Sequence, residues 1–237
     1  MQNELIKKQR ILVLNFKTPI AQNEISLFRG AINHILEADT NVLFHNHEGE
    51  TFRYAYPLIQ YKRIQRNAAL VCINEGTEVV GLLLNKGIIN CELGNRSVEM
   101  EIDSVKANQF LLQSWDSNFS YYLRKWLPLN QENYVEYQKL DGIAEKCQFL
   151  ERILIGNILS MGKGLGIHFD KEISAKITNI ESTTTLRYKN IKLMGFDVEF
   201  KSNVSLPDYI GLGKGASTGF GMVARKRDKK EFENKTI

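Results

Sequence analysis

The sequence has few of the residues that mark secreted or zinc-binding proteins. Only three cysteines occur in 237 residues, at Cys72, Cys91 and Cys147, and none forms a Cys-x-x-Cys pair. An odd and scattered set of cysteines argues against a disulfide framework and indicates a reducing compartment. Beyond His45 and His47, no tight cysteine or histidine spacing suits zinc. We therefore expect no metal and no other cofactor.

Long apolar runs are also missing. No stretch approaches the roughly 18 consecutive apolar residues that a membrane span needs. The segment from Met1 to Arg10 is polar and has no apolar signal core. The sequence therefore predicts a cytoplasmic protein with no membrane partner. Hydrophobic residues make up 43% of the chain, which is enough for one large domain or two small ones.

The sequence also has no excess of acidic residues over basic ones. The formal net charge is +4, which permits an anionic partner without requiring one. Basic residues cluster at 62–66 and at 225–230. The second cluster is a charged tail, and such tails are usually solvated, so it is weak support for a binding site.

Glycine, in contrast, is concentrated in one stretch, Gly211–Gly221, which we call the glycine segment. It holds five glycines, two hydroxyl residues and Lys214. Glycine is costly to order, so such a run indicates positive φ or close approach to the main chain. Exposed N–H groups beside a lysine suit a phosphate. The segment is neither a GxxxxGK[ST] loop nor a dinucleotide fingerprint, and a plain glycine-rich hairpin is the alternative.

Apolar periodicity predicts alternating strands and helices in the first half of the chain. The expected elements are a strand at 11–16, a helix at 23–36, strands at 54–62 and 68–73, a helix at 76–88 and a strand at 98–102. This β-α-β-β-α-β order is that of a ferredoxin-like unit.

The second half is dominated by strands. The pattern predicts a helix at 141–161 and strands at 173–177, 183–188, 191–200 and 222–224. The aromatic stretch 115–138 fits either a linking element or the start of a second unit. A second, reduced copy of the same sheet is one interpretation, although no sequence repeat is evident.

Three separated features resemble one family. The glycine segment reads glycine–hydrophobic–glycine, five residues with one basic, then glycine–hydrophobic–glycine. It is similar to the C-terminal motif of the CRISPR-associated endoribonucleases, in the RAMP superfamily, that cut precursor CRISPR RNA. The stretch RILIGNILS at 152–160 with Lys163-Gly164 resembles the subtype I-B branch. So do FHNH at 44–47 and YPLIQYK at 56–62, and the resemblance extends over most of the chain.

This resemblance implies an α+β fold of tandem ferredoxin-like, RNA-recognition-type units, which we place at 1–115 and 116–237. It implies metal-independent cleavage of repeat RNA, in which the ribose 2′-hydroxyl attacks the adjacent phosphate and leaves a 2′,3′-cyclic phosphate and a 5′-hydroxyl. It carries the acid–base role onto His45 and His47. Precursor CRISPR RNA is the implied partner, and effector-complex subunits and a second copy of the chain are further candidates.

The residue chemistry suits this role, because histidine has an unperturbed pKa of about 6.5 and serves as base or acid. In an extended loop, His45 and His47 place both rings on one side, about 7 Å apart, a distance that brackets a phosphate. The alternatives are one active histidine, with His47 favoured, or neither. A His-Asn-His metal nuclease needs further ligands, and only Glu48 and Glu50 are near.

The other two histidines are weaker candidates. His34 lies in the predicted first helix, where a histidine is more often structural, and His168 follows the glycines near 162–166. The alternative function for the whole chain is a non-catalytic RNA-binding subunit of a CRISPR ribonucleoprotein complex. Such a protein would hold RNA without cutting it.

Basic, aromatic and glycine positions form the expected RNA-binding set. Tyrosines of the 54–62 strand suit base stacking, although a half-buried strand position explains Tyr56 and Tyr61 equally well. Lys62 is expected to contact the scissile phosphate or nearby bases, and Lys214 a phosphate. The full set is Arg29, Tyr56, Lys62, Lys163, Gly211, Gly213, Lys214, Gly215, Gly219 and Gly221.

Overall fold

A computed structural model describes residues 8–36, 47–48, 51–52, 56–78 and 80–227, and the chain divides into two compact units. The first unit combines Met1–Leu111 with Ala216–Gly219, and the second combines Leu112–Gly215 with Phe220–Ile237. The division after Leu111 falls slightly before the boundary expected after residue 115. Within the described ranges, no helix has both the length and the apolar character of a membrane span.

The first unit has a ferredoxin-like topology. Its described elements are β1 (Gln9–Pro19), α1 (Ile25–Leu36), β2 (His47–Glu48), β3 (Thr51–Phe52), β4 (Ile59–Ile64), β5 (Asn67–Ile73), α2 (Val80–Lys86), β6 (Ile89–Leu93), β7 (Arg96–Met100) and β8 (Ile102–Phe110). Four strands form an antiparallel sheet in the order β4-β5-β1-β8. The strands β2–β3 and β6–β7 form separate two-stranded pairs. The predicted β-α-β-β-α-β order is confirmed.

The core of the first unit follows from the apolar spacing of α1. Ile25, Phe28 and Ile32 recur at helical spacing, and none is more than 2% exposed. The Phe28 ring meets the rings of Phe16 and Tyr61 edge to face, with centroids 5.8 and 5.5 Å apart. Tyr61 therefore points into the helix-covered side of the sheet.

The second unit repeats this topology with one helix missing. Its described elements are β9 (Ser114–Trp126), α3 (Gln131–Gln138), α4 (Ile143–Gly164), β10 (Ala175–Tyr188), β11 (Ile191–Val204) and β12 (Met222–Arg225). The antiparallel sheet has the order β10-β11-β9-β12, which matches the first sheet strand for strand. Residues 205–221 contain no helix and connect β11 to β12, where a ferredoxin-like unit has its second helix. The interpretation as a second, reduced copy is confirmed.

The long helix α4 covers the second sheet. Leu150, Leu154 and Ile158 recur every four residues and are fully buried, together with Phe200 and Val198 of β11. The helix carries the whole RILIGNILS stretch. Its packing therefore fixes which residues of that motif are buried and which are exposed.

Several predicted boundaries differ from the structure. The single strand expected at 98–102 is divided between β7 and β8, and the two strands expected at 173–177 and 183–188 are one continuous strand, β10. Much of β10 is exposed, so apolar alternation marks only parts of it. The stretch 115–138, left open from sequence, contains β9 and α3.

Candidate functional site

The ends of the glycine segment are anchored in the second unit. Leu212 donates its N–H to the carbonyl of Gly221 over 2.8 Å, and Gly211 forms an antiparallel bridge with Met222. Gly221 has a φ of 59°, and a side chain there would lie 2.0 Å from the carbonyl oxygen of Leu212. Only glycine fits this close pairing.

The RILIGNILS motif meets the glycine segment through Asn157. The Asn157 Oδ1 accepts a hydrogen bond of 2.9 Å from Trp126 Nε1. The same oxygen lies 2.5 Å from where a Cβ on Gly213 would stand, and φ at Gly213 is 78°. Two of the features that carried the resemblance are therefore in contact. The sequence indicated that glycine is needed for backbone reasons, and this is confirmed at Gly213, Gly215, Gly219 and Gly221.

Lys214 is the exposed cation of the segment. It lies between Gly213 and Gly215, both at positive φ, and no carboxylate of the described ranges pairs with it. Next to it, a Cβ on Gly215 would approach the ring of Tyr188 to 3.0 Å. Tyr188 also meets Phe220 edge to face at 5.6 Å. Tyr188 thus brings the turn between β10 and β11 against the glycine segment.

This turn carries cations that sequence reasoning missed. Arg187 and Lys192 are directly opposite each other across the β10–β11 pair, and Lys189 lies in the turn itself. All three are exposed, and none has a carboxylate partner among the residues that the structure describes. Like charges directly opposite each other are destabilising, so an anionic ligand would relieve the repulsion. The signal in the sequence was three basic residues within 187–192.

The middle of the glycine segment belongs to the first unit. The Tyr61 N–H donates to the carbonyl of Ser217, and Lys62 Nζ donates to the carbonyl of Ala216, each over 2.7 Å. Tyr61 also forms a parallel bridge with Thr218. Since β4 is an edge strand, residues 216–219 cover the open side of the first sheet.

These positions correct the RNA contact expected of Lys62, and for Tyr61 they favour the strand-position alternative. Lys62 is 0% exposed, so its ammonium is bonded to the protein and does not face a bound phosphate. Burial lowers the pKa of Lys62 to about 7. Tyr61 is 2% exposed, and its hydroxyl donates to Asn33 Oδ1 over 2.8 Å, so its ring is a core side chain and not a stacking surface. Burial also raises the pKa of Tyr61.

The other predicted RNA-binding and histidine candidates differ in their exposure to solvent. Arg29 on α1 and Tyr56 before β4 are half-buried, and Lys163 near the end of α4 is exposed. The weaker histidine candidates, His34 and His168, are exposed. Nothing in this arrangement tests their roles, which stay predictions.

The two principal histidines stay predictions for a different reason. His45 lies outside the described residues. His47 begins β2, where its backbone pairs with Phe52, and the structure describes its backbone alone. The proposed spacing of the two rings therefore rests on the sequence.

Comparison with known proteins gives matches along nearly the whole chain. Residues 7–111 match the family model of the Cas6b N-terminal domain, and residues 113–226 match that of the Cas6b C-terminal domain. An uncharacterized protein of Methanocaldococcus jannaschii is 40% identical over 104 residues, which cover 44% of this chain and 69% of that protein.

Solved structures give the same assignment. A crystal structure of Cas6b superposes with a TM-score of 0.84 at 27% identity, over 93% of this chain and 100% of the other. A crystal structure of the CRISPR RNA processing endoribonuclease Cas6b has a TM-score of 0.71 at 26% identity, with the same coverage. The two family models adjoin at the division between the two units, and together they include the glycine segment and the RILIGNILS helix. The chain belongs to the Cas6b family.

Proposed function

We propose that this protein is a metal-independent endoribonuclease that cuts CRISPR repeat RNA to produce mature CRISPR RNA. The observation that carries the proposal is the match of both units to Cas6b family domains. A solved relative of 26% identity is a CRISPR RNA processing endoribonuclease. The exposed Lys214, held among glycines in the matched C-terminal domain, supports an RNA backbone as the ligand.

The proposed chemistry needs no metal because the nucleophile is part of the RNA. A base removes the proton from a ribose 2′-hydroxyl, whose oxygen attacks the adjacent phosphorus. An acid protonates the 5′-oxygen as the bond from phosphorus to that oxygen breaks. The products are a 2′,3′-cyclic phosphate and a 5′-hydroxyl. We assign the proton transfers to His45 and His47, since histidine titrates near neutral pH.

We propose that the RNA backbone docks on the cationic surface around the glycine segment. Lys214 and the exposed cations of the β10–β11 turn supply positive charge, and Tyr188 links the turn to the segment. Such contacts position RNA without reading its sequence. Tyr56, Arg29 and Lys163 are proposed as further contacts in their own units.

The decisive experiment uses labelled repeat RNA from the host's own array. We expect the wild-type protein to cut it in excess EDTA and to leave the cyclic phosphate and 5′-hydroxyl ends. The His45→Ala/His47→Ala variant should lose about 10²–10⁴-fold or more in single-turnover rate, the usual range for general acid–base catalysis, while its affinity for the RNA changes little.

The matched control is the His34→Ala/His168→Ala variant, which removes the other two histidines and should cut at the wild-type rate. Loss of activity on chelation would contradict the metal-independent mechanism. Full activity of the His45→Ala/His47→Ala variant would contradict the histidine assignment. An RNA that stays bound and intact with the wild-type protein would instead indicate a non-catalytic binding subunit.

A further inference from the structure

Lys62 occupies a place that is unfavourable for a cation. Side chains alternate along β4, so Lys62 lies on the face of the sheet opposite Tyr61. It is paired with Ala69 of β5, and Val71 and Val13 belong to the same face; all are buried. No carboxylate of the described ranges pairs with its ammonium group. Burial without a counter-ion is costly, so the residue calls for a specific partner.

The partner of Lys62 is a backbone carbonyl of the glycine segment. Its Nζ donates to the Ala216 oxygen over 2.7 Å, while the preceding residue, Tyr61, donates its N–H to the Ser217 oxygen over 2.7 Å. Two consecutive carbonyls are thus turned toward β4 by two consecutive residues. Gly215 and Gly219 flank this stretch at positive φ, a conformation that a side chain at either position would strain.

Fixing a carbonyl also fixes the amide on the other side of the same peptide. The described peptide bonds are all trans, so the C=O of Ala216 and the N–H of Ser217 point in opposite directions. The N–H of Ser217 is therefore directed away from Lys62. It has no hydrogen-bond partner among the described residues, and Ser217 is only half-buried. An unpaired amide in a glycine-rich stretch suits a phosphate oxygen.

We propose that Lys62 is a positioning residue, which holds the Ala216–Ser217 peptide so that the Ser217 N–H is presented to a phosphate oxygen of the RNA. This inference rests on the proposed function for the identity of the ligand, but the anchoring itself does not. Lys62 acts through the backbone and does not touch the RNA. Its long side chain reaches the carbonyl from inside the sheet, which a shorter donor at this position would not do.

The test compares Lys62→Met, which keeps the length and removes the donor, with Lys62→Arg, which keeps a donor. Amide hydrogen exchange is measured first without RNA. We expect Lys62→Met to accelerate exchange of the Tyr61 amide, which bonds to Ser217, by at least tenfold, and Lys62→Arg to restore part of the protection. Lys106→Met, on exposed β8, is the control and should leave this amide unchanged.

Repeat-RNA affinity is measured next, at a temperature where all variants are folded. At pH 7 or below, we expect Lys62→Met to weaken binding about tenfold at an unchanged or higher Tm, because a methionine is better suited to an apolar face than a cation without a counter-ion. If Lys62 were merely structural, its substitution would lower the Tm instead.

Unchanged exchange of the Tyr61 amide in Lys62→Met would overturn the anchoring. Faster exchange with unchanged affinity would overturn the role of Lys62 in RNA binding. If the wild-type protein binds no repeat RNA, the proposed function fails, while the exchange result still decides the anchoring.

Discussion

At the scale of single residues, Lys62 links stability to pH. In the folded protein burial lowers its pKa to about 7, from 10.5 for an exposed lysine. Between these values the unfolded chain holds a proton that the folded chain has released, so stability rises as pH rises. Below pH 7 both states are protonated, and the folded state bears the full penalty of a buried cation.

We therefore predict that wild-type protein gains stability relative to Lys62→Met as pH increases from 7 to 9. The expected slope is about 1.4 kcal/mol per pH unit, the free energy of one pKa unit. Urea unfolding at a series of pH values measures the difference in free energy of unfolding between the wild-type protein and Lys62→Met. The comparison stops at pH 9 because burial raises the pKa of the Cys72 thiol to about 12, which opposes folding above the ordinary cysteine pKa in both proteins.

A difference between the two proteins that stays constant from pH 7 to 9 would contradict a buried, deprotonated Lys62. The Lys106→Met variant shows whether the loss of any lysine has the same effect. Because Lys106 is exposed on β8, we expect its substitution to leave the pH dependence at the wild-type slope.

The error made from sequence also lies at this scale. Alternating aromatic and basic residues at 56–62 are typical of a nucleic-acid surface, but Tyr61 and Lys62 are both buried. The alternation correctly predicted that Tyr61 and Lys62 point to opposite faces of the sheet. Whether a face of β4 is covered depends on residues distant in sequence, such as Phe28 beside Tyr61 and Ala216 beside Lys62. The glycines of the glycine segment could be interpreted from sequence, because it is local backbone geometry that requires them.

At the scale of elements, the β10–β11 hairpin predicts how RNA binding depends on salt. Each phosphate contact made by a cation releases counter-ions, and for single strands it contributes about 0.7 to the slope of log affinity against log salt. Replacing Lys189 and Lys192 together by Ala should reduce the slope by about 1 to 1.5 and weaken binding at low salt. Filter binding of repeat RNA over a range of KCl concentrations measures this slope.

Substitution of exposed Lys139, beyond the end of α3, is the matched control and should keep the wild-type slope. If the hairpin variant also keeps that slope, the turn does not contact phosphates and the docking surface is confined to the glycine segment. From sequence, the residues of this hairpin were predicted as three separate strands. Its proposed contact with RNA depends on the packing of Tyr188 against Gly215, which no local pattern encodes.

At the scale of the whole molecule, the chain order of the elements was predictable, and the place of Ala216–Gly219 in the first unit was not. Apolar periodicity gave the first ferredoxin-like order because α1 buries one face, while β4 and β5 are buried along most of their length. It did not show that Ala216–Gly219, far along the chain, belong to the first unit. In this stretch, only main-chain carbonyls accept the hydrogen bonds from Tyr61 and Lys62 of β4, and main-chain groups leave no signature in side-chain patterning.

This division predicts that a substitution late in the chain destabilises the first unit. Gly219 has a φ of 84°, and a Cβ there would lie 2.6 Å from Ile25 Cδ1. Gly219→Ala should therefore cost about 1–3 kcal/mol, the usual cost of a side chain in a strained backbone region. Gly30→Ala, in α1 with open space around it, is the control and should be neutral or stabilising by up to about 1 kcal/mol.

For Gly219→Ala, amide hydrogen exchange should be faster in β4, while protection in β9 and β11 should be unchanged. Equal loss of protection in both sheets would mean that the two units unfold together, and loss confined to the second would contradict the assignment of Ala216–Gly219 to the first.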